Sequence, residues 1–177
     1  MYISTRAACR LLVREGVSSW TAQHVLRSGL AGDPVDAGRV MLYEEARVLE
    51  LAARPSALWV EVHERCPAGL FVSRRDFPAT GTRDDQVAAL SHGWGAVNMW
   101  HWVAMHHQVV RYGALPFVAT VGGLVVLGAD IVDTRGLSGL VLEPPGPWFG
   151  VVDGRWLPTG PGRPWVLSLG ALTSEKT

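Results

Sequence analysis

Cysteine is almost missing from this sequence: 177 residues carry two, Cys9 and Cys66. Two thiols cannot build a disulfide framework, which removes the disulfide-stapled secreted scaffolds and points to a reducing, cytoplasmic setting. Charge is scarce as well, at 18% of residues, against roughly 25% in typical soluble domains. The sixteen basic and sixteen acidic side chains cancel, so bulk charge gives no argument for a polyanion binder. Lysine is reduced to Lys176, and every other basic residue is arginine. The start MYISTRAACR lacks the continuous apolar run of a signal peptide, so secretion is not expected.

Long uncharged stretches are present, but they do not read as membrane spans. Gln86 to Val110 lacks Asp, Glu, Lys and Arg, yet it contains His92, His101, His106, His107, Asn98 and Gln108. Tyr112 to Ala129 is long enough to cross a bilayer. Its Pro116, its Gly122-Gly123 pair and its β-branched residues suit a hairpin better than a helix. No membrane partner is expected.

Apolar residues at 48% supply ample core material, and texture changes near Ala53 to Ser56, where an Ala, Leu and Glu-rich helix meets a proline. Residues 1–56 read as one unit and 57–177 as a second. In the first, Ser4 or Thr5 caps a helix running to about Val13. Ser18 or Ser19 caps another running to Arg27, which Gly29 terminates. Two short strands follow around Asp36 to Arg39, then a helix over Glu44 to Ala53. In the second unit, the alternation in 57–63 predicts a strand, and LFVS another. Residues 83–90 predict a short helix and Ala96 to Tyr112 a longer one. Phe117–Val121 and Leu124–Val132 flank the glycine pair as a hairpin, Gly139–Leu142 is a strand, and 151–156 reads as a hairpin on an Asp-Gly turn. Pro164–Leu169 is a last strand. The expected class is α+β with a mainly antiparallel sheet and one or two helices in the second unit.

STRAACRLL, then GVSSWTAQHVLRSG, then a hairpin-like stretch ending in RVMLY, then EEARVLELA, resemble the winged helix-turn-helix DNA-binding domains of the MerR and excisionase type. The resemblance covers residues 1–56. It implies that the helix after GVS enters the major groove and that the hairpin is a wing on the DNA backbone. Matched position by position, Ser18, Ser19, Trp20, Thr21, Gln23, His24 and Arg27 fall on the exposed side or the N-terminus of the recognition helix. Ala22, Val25 and Leu26 fall on its buried side, and Arg39 on the wing. A helix N-terminus favours phosphate, Gln can read adenine edges, and Arg can read guanine. Arg6, Arg10 and Arg14 recur every four residues, which puts three guanidiniums on one face opposite the apolar stripe. That face is either phosphate-binding or simply solvated. The chain departs from the pattern in a longer turn between Leu12 and Val17 and in a wing with one arginine. Seven arginines against six acids in residues 1–56 predict weak nonspecific affinity.

The second unit resembles no family. His63 and Cys66 have a zinc-like spacing, but no second compact pair accompanies them, and His101 and His106 do not share a helix face well. No metal and no cofactor are expected. GxSxG, HExxH and the P-loop are absent, and Asp130 and Asp133 fall on opposite faces of a strand. The sequence therefore reads as a cytoplasmic, sequence-specific double-stranded-DNA binder. It would be a transcriptional regulator or a plasmid or phage accessory factor, acting as a homodimer held by residues 57–177 through the helix Ala96 to Tyr112. A small-molecule or protein partner of the second unit stays open. The competing readings are an enzyme with its active site in residues 57–177 and a protein-interaction module that does not bind DNA.

Overall fold

In the computed structural model, which describes residues 1–14, 16–160 and 162–169, the chain is a mixed α+β protein. It opens with β1 (Tyr2–Ser4), α1 (Thr5–Leu12), α2 (Ser19–Arg27), β2 (Val35–Asp36), β3 (Met41–Glu44) and α3 (Glu45–Ala53). The three strands form an antiparallel sheet in the order β1-β3-β2, with Ile3 opposite Tyr43. Ser4 caps α1 by accepting from the Ala7 amide at 3.4 Å. Helix α1 stops at Leu12, and Arg14 and Val17 exchange backbone hydrogen bonds of 2.9 and 3.3 Å across the following turn. Ser18 then caps α2 by accepting from the Thr21 amide at 3.2 Å. Gly29 ends α2 at φ +82, the left-handed conformation that glycine adopts without cost.

The rest of the chain adds α4 (Trp59–Arg65), β4 (Leu70–Ser73), α5 (Arg83–Leu90), α6 (Met99–Tyr112), β5 (Leu115–Val121), β6 (Leu124–Arg135), β7 (Gly139–Glu143) and β8 (Trp165–Ser168). They make a five-stranded sheet in the order β7-β6-β5-β4-β8. Strands β4 and β5 are parallel, joined through α5 and α6, and the other pairs are antiparallel. Strand β5 is central and buried along its whole length. One sheet face packs Phe71, Phe117, Ala129 and Ile131 beneath Trp94, Trp102 and Met105. The other packs Leu70, Val72, Val118 and Val125 against Val62, Cys66, Val152 and Leu157. Period-two alternation along β4 and β5 sorts the residues between the two cores.

The second unit carries three α-helices among the described residues, α4, α5 and α6, rather than one or two, and two expected elements differ. Residues 57–63 are not a strand: α4 forms there, because Val62 and Cys66 are one helical turn apart and both fully buried, while Val60, His63 and Glu64 face solvent. Leu58, Val60 and Val62 alternate only in the sequence. Residues 151–156 are not a hairpin either. A 3-10 helix over Pro147–Val151 leads into a turn with Gly154 at φ +60, and Trp156 makes single bridges to Ser56 and Leu124.

The two halves meet in a shared core. Val121, Leu124, Ala79 and Trp156 are buried in one cluster with Ala8, Leu12, Ala22, Val25, Leu26 and Leu51. Trp156 is the joint. Its indole N–H donates to the Leu51 carbonyl at 3.1 Å, its amide donates to Pro55, and its carbonyl accepts from Ala57.

Candidate nucleic-acid interface

Helix α2 has three flanks. Ala22, Val25 and Leu26 are fully buried. Trp20, Gln23, His24 and Arg27 lie along the opposite side, as i, i+3, i+4 and i+7 positions of one helix must. Trp20 is the most open of them, at 76% exposure. Its ring stacks on that of His24, nearly parallel, with centroids 6.0 Å apart. His24 Nε2 lies 3.5 Å from the Asp76 carboxylate in the loop after β4. Arg27 is exposed, and its charge is felt at two partly shielded groups. Burial pushes the Cys9 thiol and the Tyr43 phenol up, and the Arg27 guanidinium opposes both shifts.

The third flank is covered. The tip of the β5–β6 hairpin presses on Thr21 and Val25, so that a Cβ on Gly122 would come within 2.9 Å of the Thr21 carbonyl oxygen. Thr21 is half-buried there, and its hydroxyl lies 2.9 Å from that of Ser18. Thr21 therefore faces the protein rather than the outward arc. Ser18 and Ser19 remain exposed at the helix start.

The arginines expected on one face of α1 separate. Arg6 and Arg10 are exposed and a turn apart. Arg14 lies beyond the helix end, so the four-residue spacing no longer aligns it with them. It turns inward, donates to the carbonyls of Ala52 and Arg54, and places its guanidinium 4.9 Å from the Trp156 ring centroid. It caps the end of α3 and packs the joint. Arg39 is exposed in the β2–β3 turn, where Asp36 accepts from the Gly38 amide at 2.8 Å and Gly38 takes φ +84. Asp76 and the hairpin tip were invisible in the sequence as neighbours of α2, since both come from distant positions with no motif of their own.

Elsewhere several polar groups are engaged within the fold. Among the described residues no three His, Cys, Asp or Glu side chains converge on a metal-sized site. His63 Nε2 pairs with the Ser168 hydroxyl at 2.9 Å. Cys66 is fully buried, and loss of hydration, with a smaller contribution from Asp130, pushes its thiol up to about 12. Asp130 accepts from the Gly146 amide at 2.9 Å and from the Trp148 indole at 2.7 Å, while Asp133 accepts from the Thr134 amide. Among the described residues no helix is long and apolar enough to cross a membrane. Comparison with protein families, with characterised proteins and with solved structures finds no match to this chain.

Proposed function

We propose that the chain binds duplex DNA with the first 56 residues as a winged helix-turn-helix, α2 lying in the major groove and the β2–β3 turn on the backbone. The observation that carries the reading is the outward arc of α2. Trp20 and Arg27 are exposed, and Gln23 and His24 half-buried, on a helix whose opposite side is fully buried, and Ser18 and Ser19 stand open at its N-terminus. A helix start favours a phosphate through its dipole, and a Gln–Arg pair one turn apart can meet neighbouring base edges. Arg6, Arg10 and Arg39 supply backbone contacts from α1 and the wing. Thr21 and Arg14, engaged within the chain, fall outside the reading set. The biological role is regulation of transcription, or an accessory step in plasmid or phage DNA handling.

Selection from a random duplex library tests this. Enrichment of one motif by the full chain supports it, and a library that stays random overturns it. A second reading has its own support in Trp20: a large, open aromatic ring on a nearly neutral surface also suits a protein partner. Loss of enrichment together with retention of a protein ligand in a Trp20-dependent manner selects that reading.

A further inference from the structure

We propose that the outward face of α6 is a self-association surface, occupied by the same face of a second copy in antiparallel register. Met99, Val103, His106 and Val110 follow one another at i, i+4, i+7 and i+11, and all four are exposed. That spacing draws a single line along a helix, the pattern of a helix–helix seam. Leu137, on the β6–β7 turn, rises beside the line and closes a groove of about 550 Å³ against it. Trp102 and Met105, on the inner side of α6, are buried in the sheet core, so the face is presented on a fixed support.

Charge and symmetry select the occupant. The stripe and the groove hold no Asp, Glu, Lys or Arg, and Arg111, which α6 does carry, lies at its end over the Tyr112 ring. A second copy offers a surface equally free of these groups. The stripe is also self-complementary: a two-fold axis at its midpoint sets Met99 against Val110 of the other copy and Val103 against His106, at both ends alike, as a closed isologous contact requires. Met99, Val103 and Leu137 are each more than half exposed, and Val110 is 71% exposed. Covering these four buries about 400 Å² per copy, the size of a weak, concentration-dependent contact. The inference stands apart from DNA binding, and neither depends on the other.

Sedimentation equilibrium of the full chain between about 1 and 100 µM, the range in which a contact of this size is populated, is the test. The expected result is a dimer that Val103→Glu and Val110→Glu each convert to a monomer, with the circular-dichroism spectrum unchanged because both positions are exposed on the single chain, and with a thermal midpoint that no longer rises with protein concentration. A Met99→Cys/Val110→Cys double variant should form a covalent dimer on oxidation, and the Met99→Cys single variant should form far less. A wild-type monomer across the range overturns the proposal. So does a dimer that survives both glutamates, or equal cross-linking by the single and double cysteine variants.

Discussion

Gly122 lies so close to Val25 that a Cβ added there would sit 2.7 Å from the valine Cγ2. A hairpin of the central sheet is thereby seated directly on the helix that carries the outward arc, and the pose of α2 is set by residues a hundred positions away. Gly122 also has φ +56, a conformation that L side chains rarely adopt. Gly122→Ala should therefore destabilise the fold by about 1–3 kcal/mol through strain and overpacking. Urea unfolding monitored by circular dichroism measures it, and an unchanged midpoint would show that the hairpin is not held against α2.

Trp156 joins the halves through its indole bond to Leu51 and its bridges to Ser56 and Leu124. Residues 1–56 and 57–169 should consequently unfold together in one transition. Trp156→Phe should lower stability by about 1–3 kcal/mol, through the lost indole hydrogen bond and the smaller ring left in a fully buried site, and should broaden the transition. Superimposable fluorescence and circular-dichroism curves for the wild type check the cooperativity. Separate midpoints would contradict it.

Arg10 and Arg14, four apart in sequence, should behave as different kinds of residue. Arg14→Ala removes charged donors from two carbonyls at the end of α3 and should cost about 1–3 kcal/mol. Arg10→Ala, on an exposed helix face, should stay within about 0.5 kcal/mol. Equal thermal shifts for the two would place Arg14 back on the solvated face.

The Cys66 thiol gives a pH signature. Its ordinary value of 9.0 rises to about 12 in the folded chain, mainly through loss of hydration. The unfolded chain therefore releases this proton first. Stability from the protonated thiol is present below about 9 and is lost progressively as pH rises toward 12. Chemical denaturation at stepped alkaline pH should show the decline, with a shallower slope in Cys66→Ala. An equal slope in both would assign the loss to other groups, such as Tyr43.

Local signals made much of this fold legible. Ser4, Ser18 and Gly29 mark helix ends by backbone chemistry that needs no tertiary context, and Gly122-Gly123 between two β-branched runs marks a hairpin in the same way. Residues 57–63 fold as α4 although Leu58, Val60 and Val62 alternate as a strand would, because the contacts that decide the matter, Val62 and Cys66 on the sheet, are long-range. Arg14 parts from Arg6 and Arg10 because helical spacing does not extend past Leu12, where the helix ends. The outward side chains of α2 are legible as a helical set, but the limits of that set are not. Nothing near Thr21 in sequence tells that Gly122 covers it, or near His24 that Asp76 faces it.

The proposed reading of duplex DNA by the outward arc of α2 is tested most directly by a titration of full-length variants on the selected duplex and a scrambled one at two salt concentrations. Gln23→Ala and Arg27→Ala should each cost about 1–3 kcal/mol on the selected site and little on the scrambled one. Arg10→Ala and Arg39→Ala should weaken both duplexes alike and lower the salt slope by about one. Binding that all four substitutions leave unchanged would contradict the claim and leave α2 as a scaffold.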